Sequence, residues 1–266
     1  MSSSNGRLAQ LFLRYASPLA ELRRLPVVGP CLRWASQRLV PRDSLTWVQV
    51  QRGPARGLWL HLNPRTGGTY FEGGGEPEVQ NALQQHLRPG MTFYDIGANI
   101  GFFSLLAARI VGKEGRVVAF EADPEIAARL REHVTRNDFR AISVEEKAVW
   151  SEPRTVFFAR TDPATSPYRG LGHVVETGAR DTIQVNSVSL DQYVQTVPAP
   201  DFVKCDVEGA EVEVFRGAQS LLTQKRPVVL CEMHSDANRR LLLETFARFG
   251  YACKSLDEHH VLALPQ

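Results

Sequence analysis

The chain is short of several features that would have given it a simple class. Its 266 residues hold four cysteines, Cys31, Cys205, Cys231 and Cys253, with no CxxC spacing. That excludes a disulfide scaffold. Three of the four lie in apolar runs and read as buried thiols in a reducing compartment. No run approaches the ~18 apolar residues of a membrane-spanning helix. The N-terminus lacks a continuous apolar core and cleavage site, so it does not read as a signal peptide. A soluble, cytoplasmic protein is the expectation. No dense Lys/Arg stripe follows residue 42, which argues against nucleic acid as a partner. There is no internal repeat.

The charge that is present is unevenly placed. The net charge is +2, from 31 basic and 29 acidic side chains. Residues 1–42 carry seven Arg and one Glu, a net +6, so residues 43–266 carry a net −4. The basic head is a candidate contact for anionic lipid or an acidic partner, set against the plainer view that it is a solvated helical face. Leu8, Leu11, Phe12 and Tyr15 repeat at helical spacing, and Ser17-Pro18 restarts a second helix. The expected organisation is a basic helical extension over 1–45 and a main domain over 46–266. Within the latter come a hairpin over 46–62, a core from about residue 76 and an insertion over 151–189.

From Thr92 onward short apolar strands alternate with amphipathic helices. Strands are expected at Thr92–Asp95, Arg116–Glu121, Ala141–Val149, Asp201–Asp206 and Pro227–Glu232, with a closing pair at Tyr251–Leu256 and His260–Leu264. Strands apolar on both faces imply a parallel sheet covered by helices, a doubly wound α/β fold. Asp123 caps a helix whose first position is Pro124.

The informative segment is Asp95-x-Gly97-x-Asn99-x-Gly101, followed by Glu121 at the end of the next strand. In doubly wound sheets ligands sit at the carboxyl ends of the strands. Gly97 and Gly101 let a ligand approach the backbone, and Glu121 can accept both hydroxyls of a ribose. A dinucleotide requires G-x-G-x-x-G for its pyrophosphate. Here Asn99 occupies the second glycine position, and Asp95 places a carboxylate where a pyrophosphate would be repelled. That counts against a nicotinamide-dependent oxidoreductase. A ligand with an ammonium group, a sulfonium and a ribose suits the pattern, which points to S-adenosyl-L-methionine.

The segments YDIGANIGFFS (94–104), VVAFEADPE (117–125), KAVWS (147–151), VSLDQYV (188–194), VKCDVEGAE (203–211) and VVLCEMH (228–234) resemble the FkbM methyltransferase family. The likeness covers about residues 76–234 and excludes 1–45. It implies a class I methyltransferase fold, Rossmann-like, with seven strands of which the last is antiparallel. The implied activity is O-methyl transfer to sugars or to hydroxyls of polyketide-type natural products. Carried over by motif, the methionine end of the cofactor falls on Asp95, Gly97, Asn99 and Gly101, and the ribose on Glu121. The adenine pocket falls on Lys147, Ala148 and Val149.

A hydroxyl acceptor needs a base or a Lewis acid. Asp206, Glu208 and Glu211 follow the fourth strand, and Glu232 and His234 end the fifth. In a base mechanism His234 takes the proton while Asp206 or Glu232 orients its ring. In a metal mechanism Asp206, Glu232 and His234 hold a divalent ion such as Mg2+. That version is similar in topology to the site of catechol O-methyltransferase, although the spacing differs. Plainer roles stand beside these. Asp206 can cap the next helix, Glu208 and Glu211 can complement its dipole, and His234 can be structural. His133, His259 and His260 read as surface residues. Arg160, Tyr168, Arg169 and His173 in the insertion are candidate acceptor contacts. The rival of another class is a degenerate cofactor-binding scaffold that docks a partner through its basic head. An oligomer is compatible with the sequence.

Overall fold

A computed structural model describes residues 45–63, 67–160, 172–175 and 182–266. The basic head and its expected helices, Cys31, Tyr168 and Arg169 lie outside the described residues. Contacts divide the chain into two units, residues 1–75 and 76–266. The hairpin over 46–62, grouped above with the core, thus falls in the first unit. Its strands β1 (Thr46–Gln49) and β2 (Trp59–Leu62) pair antiparallel. Alternate positions share a face, so Val48, Leu60 and Leu62 are buried together with Thr46, while Trp47 and His61 stack on the other side. A short helix, α1 (Gly68–Glu72), follows.

The second unit opens with α2 (Pro77–His86) and then alternates strand and helix. β3 (Thr92–Ile96), α3 (Phe102–Val111), β4 (Arg116–Phe120), α4 (Pro124–Arg136) and β5 (Ile142–Glu145) form the first half. Asp123 caps α4 as expected, its side chain accepting from the Glu125 N–H. The expected third strand, Ala141–Val149, is broken at Glu146-Lys147. β5 stays in the main sheet, while β6 (Ala148–Val149) leaves it. β6 joins β7 (Thr155–Ala159), β8 (His173–Val175) and β9 (Thr182–Val188) in a separate four-stranded sheet of order β6-β9-β7-β8. The break falls where charged Glu146 and Lys147 follow Glu145 at the end of β5, the edge strand of the main sheet.

The chain returns through α5 (Leu190–Tyr193), β10 (Phe202–Cys205), α6 (Glu211–Arg216), α7 (Gln219–Gln224) and β11 (Val228–Glu232). It closes with α8 (Asp236–Arg248), β12 (Tyr251–Ser255) and β13 (His260–Pro265). The seven-stranded sheet has the order β12-β13-β11-β10-β3-β4-β5. The pairs β11–β10, β10–β3, β3–β4 and β4–β5 are parallel, and β13 is antiparallel to both its neighbours. This is the seven-stranded arrangement with an antiparallel last strand. Tyr94, Phe120, Val203, Phe215 and Phe246 fill one core cluster of the sheet and its covering helices. Each such side chain contributes about 1.5–3 kcal/mol on burial.

The topology aligns the strand ends. β3 and β4 start new helices on one side of the switch point, β10 and β11 on the other. The loops after these four strands therefore line one crevice. Cys205 and Cys231 are buried opposite one another on β10 and β11, but Cys253 is exposed on β12, contrary to its apolar setting in the sequence. Among the described residues no helix is long and apolar enough to cross a membrane.

Candidate functional site

The loop after β3 is held by backbone geometry that few residues accept. Gly97, Asn99 and Gly101 have φ values of +75°, +51° and +85°. Glycine takes such values freely, and asparagine is among the few side chains that visit them. Asn99 Oδ1 also accepts from the Ile100 N–H at 2.7 Å. A Cβ at Gly97 would run into the Asp206 carbonyl, and one at Gly101 into Leu130 of α4. His133 of α4 is fully buried and donates through Nδ1 to the Ile100 carbonyl at 2.7 Å. This corrects its placement at the surface: the ring is a strut beneath the loop.

Glu121 closes the loop from the β4 side. Its two carboxylate oxygens accept from the Asn99 and Asp123 N–H groups, each at 2.8 Å. Burial pushes its pKa up to about 7, against the pull of those two donors. Asp95 is fully buried at the end of β3. Its Oδ2 accepts from Ser104 at 2.5 Å, while Oδ1 accepts no hydrogen bond and lies 3.7 Å from Lys204 Nζ. Burial raises the Asp95 pKa, with Lys204 and Ser104 opposing.

Lys204 was not singled out in the sequence. It is 3% exposed, stands in register with Asp95 on β10, and donates to Asp206 Oδ2 at 3.1 Å. Its ammonium also sits 5.3 Å from the Phe103 ring centroid. Burial works against its charge, but Asp206, Asp95 and Glu76 outweigh that and raise its pKa. A buried cation thus ties the Asp95 side of the crevice to the Asp206 side.

Asp206, Glu208, Glu211, Glu232 and His234 come together across the ends of β10 and β11. The Nδ1 of His234 donates to Glu211 Oε1 at 2.7 Å. The residue that orients the ring is therefore Glu211, not Asp206 or Glu232. Glu211 is fully buried and also accepts from the Gly209 N–H and Asn238 Nδ2. Burial of Glu211 is outweighed by these donors, which lower its pKa. The other ring nitrogen faces Glu208 Oε2 at 3.2 Å, and Asp206 Oδ1 and Glu232 Oε1 at 3.7 Å each. Burial disfavours the imidazolium, but Glu211, Glu208 and Asp206 hold its proton on and raise the pKa to about 9. Asp206, Glu232 and His234 each offer a ligand atom, all within 4.8 Å of one another. Glu208 sits at φ +52°, a strained backbone for its type, as strained residues at reactive sites often do.

The family model for the methyltransferase FkbM domain matches residues 95–256. The chain belongs to the FkbM methyltransferase family. A hexuronic acid methyltransferase, AglP, of Haloferax volcanii is 31% identical over 166 residues, 62% of this chain and 64% of that protein. An arsenite methyltransferase of Halobacterium salinarum is 30% identical over 144 residues, 50% of this chain and 34% of that one. The chain therefore spans less than two thirds of either relative. A crystal structure of a methyltransferase FkbM from Methylobacillus flagellatus aligns over 69% of this chain and 50% of its own, at 16% identity and a TM-score of 0.49.

The other expected contacts of this FkbM chain are placed as follows. Ala148 and Val149 are buried where β6 meets β9, and Ala122, next to Glu121, packs into the same cluster as Ala148. Lys147 is paired with Glu145 at 2.9 Å. Arg160 bonds Asp123 at 2.8 Å and Glu125 at 3.2 Å, on the Glu121 side of the crevice rather than at the Asp206 cluster. His173 is exposed on β8. His260 is buried, not superficial, with its Nδ1 held by Asp257.

Proposed function

We propose that this FkbM chain is an S-adenosyl-L-methionine-dependent O-methyltransferase acting on a hydroxyl of a sugar or of a glycosylated or polyketide-type metabolite. The observation that carries it is the convergence of two sets of groups on one crevice. The Asp95–Gly101 loop with Glu121 stands on one side, and the Glu211-oriented His234 with its facing carboxylates stands on the other. The crevice fits the cofactor's chemistry. Asp95 Oδ1, buried and accepting no hydrogen bond, suits an ammonium group. The left-handed loop gives close backbone approach, and Glu121 keeps lone pairs for ribose hydroxyls beyond the two it uses. Ala148 and Val149 supply an apolar wall for an adenine.

When bound, the cofactor supplies an electrophilic methyl group on a sulfonium centre. The chain's own residues position the acceptor oxygen and take its proton. His234 Nε2 receives that proton once it is free of its own, and Glu211 fixes the ring through Nδ1. Asp206 and Glu232 steady the resulting imidazolium. The high pKa of His234 favours a second version. There, Asp206, Glu232 and His234 would hold a divalent ion such as Mg2+, whose charge would offset the carboxylates and whose Lewis acidity would lower the acceptor's pKa. Exhaustive chelation separates the two: activity unchanged leaves the base version alone.

A sugar acceptor is supported by the hexuronic acid methyltransferase among the relatives. The test is incubation of the full chain with methyl-labelled cofactor and glycans that carry hexuronic acid, with products read by mass spectrometry. A methyl ether on the sugar is expected. Label on nitrogen would refute the oxygen assignment. Cofactor binding without turnover on any acceptor would favour the scaffold.

A further inference from the structure

A second cluster lies beside the acceptor site and shares Glu232 with it, but the proposed methyl transfer uses neither of its other members, Glu76 and His260. His260 opens β13, in register with Glu232 on β11. The turn before it is organised by Asp257. One oxygen of Asp257 accepts from the N–H groups of His259 and His260 at 2.8 and 2.7 Å, and the carboxylate grips His260 Nδ1 at 2.8 and 3.0 Å. Holding Nδ1 this way fixes the tautomer and leaves Nε2 as the working atom.

That atom is buried and has no hydrogen-bond partner, in a residue only 6% exposed. It faces Glu76 Oε2 at 3.5 Å and Glu232 Oε2 at 3.6 Å. These separations are long for hydrogen bonds. They are close to the spacing of two ligands on one ion, since atoms about 2.1 Å from a tetrahedral centre lie about 3.4 Å apart. The three ligand atoms all fall within 4.8 Å of one another. Glu76 precedes α2, which packs on β11 and β13, so its position is set by the fold rather than by a free loop.

We propose that Glu76, Glu232 and His260 form a binding site for a divalent cation that accepts mixed imidazole and carboxylate ligands, of the Mn2+ or Zn2+ class. The carboxylate–histidine pair Asp257–His260 is the arrangement that orients a metal-binding ring. One imidazole with two carboxylates suits these ions better than an all-oxygen site suits them. The site is distinct from the Asp206 cluster but joined to it. Glu232 turns Oε1 toward His234 and Oε2 toward His260. A cation here would fix the Glu232 carboxylate and so set the geometry of the acceptor side. The inference holds whether or not the chain methylates a sugar.

The test is a titration of the full chain with Mn2+ alone, following the free ion by electron paramagnetic resonance, with Zn2+ competition as a second probe. Wild type and Asp206→Asn should both bind, which separates this site from the neighbouring cluster. Glu76→Gln and His260→Gln should each weaken binding at least tenfold, the range seen when a ligand or its support is lost. Asp257→Asn should weaken it as well. Circular dichroism checks that each variant is folded. If His260→Gln does not fold, Glu76→Gln, which changes one partly exposed carboxylate, decides alone. No Mn2+ or Zn2+ binding by wild type at millimolar ion overturns the proposal. So does binding that Glu76→Gln leaves unchanged, which would put the ion elsewhere. Binding of S-adenosylhomocysteine, measured on the same samples, keeps failure of this site distinct from failure of the methyltransferase assignment.

Discussion

Glu121 should make the stability of this protein depend on pH in a direction opposite to that of an ordinary surface carboxylate. In the fold its pKa stands at about 7, against an ordinary glutamate value of 4.5. Between those two pH values the native state holds a proton that the unfolded chain has released. Stability from this group is therefore fully present below about pH 4.5 and is lost as pH rises through 7. A displacement of that size corresponds to about 3 kcal/mol for a fully buried group. Glu121→Gln removes the titration but keeps the shape. Its amide oxygen can accept from only one of the Asn99 and Asp123 N–H groups, and leaving the other unmatched costs about 1–3 kcal/mol. The variant should be the less stable protein at pH 5. By pH 8 it should match or exceed wild type, the gap having moved by about 3 kcal/mol. Urea unfolding of both proteins from pH 5 to 8 measures the difference, in which all other titrations cancel. A gap that stays constant, or widens as pH rises, would show that Glu121 is ionised throughout and would refute the assignment.

Other perturbations probe the remaining supports. Lys204→Met leaves Asp95 and Asp206 without their buried cation and should cost roughly 3–5 kcal/mol. At this chain length that is a fall of roughly 10 °C in thermal midpoint, and adding Asp95→Asn should recover part of it. An unchanged midpoint would contradict the pairing. Gly97→Ala should abolish binding of S-adenosylhomocysteine, because its Cβ meets the Asp206 carbonyl. Gly57→Ala has an equally left-handed φ of +83° but open space around it. It should cost only about 1–2 kcal/mol and leave that binding intact. His234→Gln should lower the rate of methyl transfer by about 10²–10⁴, with S-adenosylhomocysteine affinity within about threefold of wild type. Equal losses in both would remove His234 from the acceptor side.

What was legible in the sequence is what local chemistry determines. The alternation of apolar strands with capped helices carries the sheet, and Asp123-Pro124 marks the start of α4 within one residue. The Gly97, Asn99, Gly101 pattern was readable because three left-handed positions admit few other residues. What escaped depends on tertiary register. Lys204 sits in an apolar strand, and only its alignment with Asp95 across β10 and β3 explains why a charge is buried there. Glu211 looked like a helix-dipole residue, yet the fold turns it onto His234. His133 and His260 are single polar residues in polar stretches. Their burial follows from the docking of α4 under the loop and from the pairing of β13 with β11. The break at Glu146-Lys147 did carry a signal, since with Glu145 they make three charged residues in a row, and it marks where the chain leaves the main sheet.

The central claim is that the crevice at the ends of β3 and β4 holds the cofactor through Asp95 and Glu121. Calorimetric titration of the full chain with S-adenosylhomocysteine tests it most directly. The account predicts micromolar binding by wild type, weakened at least tenfold in Asp95→Ala and in Glu121→Ala, each removing about 1.4 kcal/mol or more. No binding by the folded wild type, or affinity that neither substitution changes, would contradict it.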